Sequence, residues 1–165
     1  KIFGVDPLMD YYKEKIGILS DSSIVKLYSN QGENLPFENN SIDVIFSTNV
    51  LDHCQDPSKV VNEVKRVLKS NGHFYCSLHV VYPIWSFLTP FLKYIDKNHP
   101  HHSTKNKILK VINKNFKNLK VSYQATIYED HPKFKKLSFS SNFFKSFKRF
   151  ISNYVLYTVY INCSN

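Results

Sequence analysis

Residues 42–79 place a strand, a helix and a strand in immediate succession, and that order calls for parallel strands joined by a helical crossover. Ile42 to Ser47 (IDVIFS) reads as the first strand. Asp56 is a good N-cap, and Pro57 suits the first helical position, where its missing N–H costs nothing. Val60, Val61, Val64, Val67 and Leu68 then form one apolar stripe. Lys59 and Glu63 make an i,i+4 charge pair on the other side. Asn71-Gly72 is expected to close the helix, because both residues tolerate positive φ. His73 to His79 alternates as the second strand, with Phe74, Cys76 and Leu78 on one side.

The preceding residues carry a similar pattern. Ile2 to Asp6 is a short apolar run suited to a buried parallel strand. A helix to about Ile16 would place Leu8, Met9, Tyr12 and Ile16 on one face, and Ile24 to Tyr28 reads as another strand. Residues 31–37 have turn chemistry, and residues 38–41 form a polar loop. Residues 1–79 therefore read β-α-β-β-α-β. Loops after Asp6, Ser47 and His79 would converge on one sheet edge, where open α/β sheets bind ligands. Beyond residue 79 the pattern loosens. Val80 to Ile95 is aromatic and broken by prolines, and Ser103 or Thr104 can cap a helix to Phe116 with Ile108, Leu109, Ile112 and Phe116 inward. Leu119–Tyr128 and Tyr154–Ile161 read as a closing pair of strands at one sheet edge, separated by a basic, aromatic helix over Phe134–Ile151.

Composition removes several function classes. Glycine occurs only at positions 4, 17, 32 and 72, so no glycine-rich phosphate loop can be built from these 165 residues. Cys54, Cys76 and Cys163 are odd in number and lack metal-ligand spacing, which fits free thiols in a reducing, cytoplasmic setting. His99-Pro100-His101-His102 has no Cys or carboxylate arrangement to complete a tetrahedral metal site, so no metal is expected. Val80–Leu92, the most apolar stretch, is too short to span a bilayer. The net charge of +9 is uneven, since residues 93–149 hold 14 of the 22 Lys and Arg but three of the 13 acids. Such a region can face RNA, an anionic membrane surface or an acidic substrate, or be the solvated face of a Lys-rich protein. No RNA-binding signature accompanies it, and nothing points to DNA.

Asp6 has two readings. A strand ending in an acid is where nucleotide-binding α/β domains hold a ribose, the carboxylate accepting from two neighbouring hydroxyls. The alternative is a turn or cap acid ahead of Pro7. The glycine-rich unit that normally precedes such an acid by about 20 residues is absent, and the chain opens with Lys, so it reads as the downstream part of a longer protein.

Four pieces, in order, resemble the class I S-adenosylmethionine-dependent methyltransferases, closest to the ubiquinone/menaquinone-biosynthesis-like group. "KIFGVDP" resembles the second strand with its ribose acid, and "GENLPFENNSIDVIFS" the adenine-side loop and fourth strand. "NVLDHCQDPSKVVNEVKRVLKSNG" is similar to the stretch V-L-x-H…D-P…E-x-x-R-V-L-K-x-x-G, and "HFYCSLH" sits where the fifth strand follows. Together they cover about half the chain.

The resemblance implies a Rossmann-like three-layer α/β sandwich of strand order 3-2-1-4-5-7-6, mostly parallel with an antiparallel last strand. Here the first strand and its glycine-rich loop are missing. A single domain over 1–165 follows, with residues 1–79 on the cofactor side and 80–165 on the acceptor side. S-adenosylmethionine is the implied cofactor and a small-molecule or lipid-like methyl acceptor the implied partner. Asp6 would hold the ribose, Pro7 and Leu8 the adenine face, and Gln31, Gly32 and Glu33 the adenine edge, unless that turn is merely solvated. Ser47 and Thr48 would lie beneath the sulfonium. Asn49, His79, Tyr82 and His102 would border the acceptor, with Trp85 and Phe87 as pocket wall or core. His53 is the candidate general base, or else a helix-entry residue filling the wall. The alternative is a non-catalytic methyltransferase-like fragment or interaction module.

Overall fold

The computed structural model describes residues 1–17, 21–95, 101–126 and 156–165. β1 (Ile2–Val5) and β2 (Val25–Tyr28) pair in parallel as a two-stranded sheet. A second sheet contains β3 (Ile42–Thr48), β4 (Leu68–Val81), β5 (Lys117–Thr126) and β6 (Leu156–Ser164), in the order β3-β4-β6-β5. β3 runs parallel to β4, whereas β6 is antiparallel to both β4 and β5. The expected parallel crossovers and the expected closing pair of strands are therefore present. Residues Phe134–Ile151, read above as a helix, lie outside the described residues.

The crossover between β3 and β4 is α2 (Pro57–Val67). Asp56 caps it, Oδ1 accepting from the backbone N–H of Ser58 (2.9 Å) and Lys59 (3.3 Å). Val60, Val61, Val64 and Val67 are buried, as their spacing predicts. The helix ends earlier than expected. Leu68 already has extended backbone, and β4 continues from it through Asn71-Gly72. Gly72 is not in the left-handed region, so close approach selects glycine there. An added Cβ would stand 2.6 Å from Leu68 Cγ and 3.0 Å from the Asp43 carbonyl oxygen. Glu63 pairs with Arg66 at 2.7 Å rather than with Lys59, because Arg66 also reaches the carbonyls of the 35–37 turn.

Phe74, Cys76 and Leu78 of β4 point into the main core with α2 and α4 (Lys105–Asn113), whose Ile108 and Ile112 are buried with Phe116. The opposite face is covered at its far end, where Val81 packs with Leu92 and Leu156, and open nearer its start. Phe46 is 77% exposed there and stacks on Tyr75 at 5.2 Å. After β4 come a 3₁₀ turn (Pro83–Leu88) and α3 (Thr89–Ile95), matching the proline-broken stretch.

The small sheet departs further from expectation. β1 is parallel but not buried, since among the described residues it has one strand neighbour. The helix after Pro7 does reach Ile16, but as a short α1 (Met9–Tyr11) that passes into a π turn (Tyr12–Ile16), closed by Gly17 at φ 65°. Of its proposed apolar face Met9 is buried, whereas Leu8 and Ile16 are exposed. No helix among the described residues is long and apolar enough to cross a membrane.

Candidate functional site

Asp6 follows the last residue of β1, and its backbone N–H still bonds to the Tyr28 carbonyl at 3.2 Å. One carboxylate oxygen, Oδ1, accepts from the Leu8 N–H at 2.8 Å, so the turn-acid reading is realised. Oδ2 accepts from no described residue and remains available to a donor. Both readings of Asp6 are therefore compatible. Pro7 and Leu8 lie exposed beside it.

The 31–37 turn is fastened to α2. Glu33 Oε1 accepts from the N–H groups of Gln55 (2.7 Å) and Asp56 (3.1 Å), so that oxygen is occupied holding the turn to the helix entrance. Arg66 donates to the carbonyls of Phe37 (2.7 Å) and Leu35 (3.0 Å) and grips Glu63 through two nitrogens. Glu63 accepts in turn from the Leu35 N–H at 3.0 Å. The Arg66 guanidinium holds the Glu63 carboxyl below the usual carboxylate range. Gln31 stays exposed, and Gly32 lies so close to Val60 that a Cβ would sit 3.3 Å from its methyl groups.

At the end of β3, Ser47 is buried and its hydroxyl has no hydrogen-bond partner among the described residues, while Thr48 is exposed. Asn49 then takes φ 53° and donates its N–H to the Ser77 carbonyl at 2.8 Å. This left-handed step turns the chain out of the sheet into a tight loop, where the N–H groups of His53 and Cys54 both reach the Val50 carbonyl. His53 is exposed at that loop.

The loop sends Asp52 inward, and sequence reasoning missed it. Asp52 is 2% exposed, yet among the described residues neither carboxylate oxygen has a hydrogen-bond partner. It lines a cavity of about 10 Å³ with His79, His101, His102 and Leu156. His79 and His102, two of the expected acceptor-side residues, are thus brought together. Tyr82 is instead half-buried, its ring 4.3 Å from that of Tyr157. The signal for Asp52 was present: an acid directly after the apolar pair Val50-Leu51.

Thiol chemistry is disfavoured at all three cysteines. Burial pushes Cys54 and Cys76 up to about 12 and Cys163 to about 11, so none is a thiolate near neutrality. Among the described residues no group of three His, Cys, Asp or Glu has the geometry to hold a metal.

Residues 2–76 match the family described as "Methyltransferase domain". A 50-residue stretch is 42% identical to sarcosine/dimethylglycine N-methyltransferase of Aphanothece halophytica, covering 30% of this chain and 18% of that protein. The chain spans well under half the length of the curated relatives it matches. Among solved structures, geranyl diphosphate methyltransferase in complex with S-adenosylmethionine superposes with a TM-score of 0.69. Identity is 15%, with 99% of this chain and 68% of that one covered. Phosphoethanolamine N-methyltransferase 2 of Haemonchus contortus, in complex with S-adenosyl-L-methionine, gives 0.65 at 19% identity, covering 99% and 43%. The chain has the class I S-adenosylmethionine-dependent methyltransferase fold, with a mixed parallel and antiparallel sheet. S-adenosylmethionine is the cofactor consistent with that fold.

Proposed function

We propose that the protein containing this chain transfers a methyl group from S-adenosylmethionine to a small-molecule or lipid-like acceptor. The observation that carries the reading is Asp6, an acid at the end of a parallel strand with one carboxylate oxygen still open to a donor. That oxygen suits a ribose hydroxyl, and the buried, unpartnered Ser47 hydroxyl offers a second polar contact after β3. When bound, S-adenosylmethionine supplies an already activated methyl group.

In this reading residues 1–79 form the cofactor side and residues 80–165 the acceptor side. Asp6, Pro7 and Leu8 flank the nucleoside, and Gln31 and Gly32 border the adenine edge, while Glu33 holds their turn in place. Ser47 and Thr48 stand below the reacting centre, and Asn49, His79 and His102 border the acceptor. Holding the two reactants in line supplies much of the acceleration. A base is needed only for an acceptor that keeps its proton, and exposed His53 is the group proposed for that step.

Isothermal titration of the full natural chain with S-adenosylhomocysteine tests the reading. Saturable binding that weakens at least tenfold in Asp6→Ala is expected; absence of binding by the unaltered protein overturns it. A second reading, a non-catalytic methyltransferase-like module, draws on one observation. Among the described residues β1 and β3 lie in separate sheets with no strand between them. On that reading these 165 residues alone bind the cofactor weakly and catalyse nothing.

A further inference from the structure

We infer that the Asp52 cavity receives a primary ammonium group of the methyl acceptor. The acceptor's role rests on the methyltransferase reading; the ammonium site itself does not. The cavity lies at the carboxyl edge of the larger sheet. Asp52 comes four residues after β3 ends at Thr48, and His79 two residues before β4 ends at Val81. Residues 101–104 close it from outside. The His101 N–H reaches the Asp52 carbonyl (3.4 Å), and the Val81 N–H reaches the Ser103 carbonyl (2.9 Å).

A buried carboxylate without a donor is costly, so the site calls for a partner that is cationic and rich in donors. Two of the three histidines that line it commit a ring nitrogen elsewhere. His101 Nε2 lies 2.9 Å from the Gln55 carbonyl, an acceptor, so that nitrogen carries its proton there. His79 Nδ1 lies 3.1 Å from the Thr158 hydroxyl. Among the described residues no Lys or Arg lines the cavity.

An ammonium group brings a full charge and three donors with no acceptor. It is also about the size of a water molecule, which is the room that about 10 Å³ provides. A trimethylated ammonium is too large, and the carboxylate turns anions away. The metal alternative lacks a set of three ligands among the described residues. An ammonium held by a carboxylate keeps its proton and has no lone pair to accept a methyl group. The site therefore recognises the acceptor, and the methylated atom lies elsewhere on it.

The test titrates the full natural chain with methylammonium chloride, followed by saturation-transfer NMR, with methanol as the uncharged probe of similar size. Saturable methylammonium binding is expected, with methanol at least tenfold weaker. Asp52→Asn should weaken methylammonium tenfold or more and leave S-adenosylhomocysteine affinity within twofold. Failure of methylammonium to bind, equal binding of methanol, or unchanged binding by a folded Asp52→Asn overturns the inference. Should Asp52→Asn not fold, the comparison of the two probes on the unaltered protein decides. Asp52-dependent methylammonium binding without S-adenosylhomocysteine binding leaves the ammonium site standing and removes the methyltransferase reading.

Discussion

Phe3 in β1 and Phe74 in β4 are aromatic residues of parallel strands, yet Phe3 is 36% exposed and Phe74 is 0%. β4 has β3 on one side, β6 on the other, α2 and α4 over one face and Leu92 of α3 against Val81 on the other. Among the described residues β1 has β2 alone, and Phe3 packs on the rings of Tyr28 at 6.2 Å and Phe37 at 5.1 Å. An isolated two-stranded pair is marginal in water. The ring of Phe37 therefore matters beyond its size, because the Phe37 carbonyl is gripped by Arg66 of α2. The small sheet is held to the rest through a turn, whereas the large sheet holds itself.

Phe74→Ala tests that contrast with the largest expected effect. Removing a fully buried phenyl ring that packs against Phe116 should cost about 3–5 kcal/mol. Ile2→Ala, at a β1 position 60% exposed, should change stability by less than about 0.5 kcal/mol. Urea unfolding of both variants measures the difference. Comparable losses would show that the small sheet is as integral as the large one.

The same contrast explains what was legible in the sequence. The Val60-Val61-Val64-Val67 stripe and the Phe74-Cys76-Leu78 alternation were readable because both surfaces meet a core within the described residues. The Asp56-Pro57 cap was readable because it acts over three residues. The helix end was not, because Gly72 is selected by Leu68 and the Asp43 carbonyl across the sheet rather than by its own φ. The apolar run of β1 predicted burial, but burial needs a second neighbour that the described strands do not supply. At the site, Asp6, His79 and His102 could be named from strand ends and the resemblance. Asp52 needed the Asn49 turn, with its φ of 53°, to show which way the loop carries it.

Arg66→Gln should have an intermediate effect. It removes charge-assisted bonds to Glu63 and to the Leu35 and Phe37 carbonyls, for a loss of roughly 1–3 kcal/mol. Hydrogen exchange should accelerate across residues 31–39 and in β1–β2, and leave β4 and β6 protected. Acid should reproduce part of this. Glu63 is held below its ordinary value of 4.5 by Arg66, so the pair's contribution is present above that pH. It is lost as the pH falls through the lowered value. Glu63→Gln should flatten this limb of a stability-versus-pH curve; an unchanged limb would detach the pair from the acid response.

Asp56→Ala should have the smallest effect, about 1 kcal/mol, because it removes a side-chain acceptor from two N–H groups at the start of α2. Glu33 sits at the same helix end, accepting from the N–H groups of Gln55 and Asp56, where a negative charge is also favourable. Both carboxylates therefore order one helix entrance, and their losses should not add. A double-mutant cycle of Asp56→Ala with Glu33→Gln should show a coupling of roughly 0.5 kcal/mol or more. Arg66, the penultimate residue of α2, holds the far side of the same turn. Loosening the entrance should thus speed exchange at residues 31–34 while Phe37 keeps its hold on β1–β2. Exchange that spreads into β1 and β2 in Asp56→Ala would mean that the turn moves as one piece, and that the small sheet depends on both ends of α2.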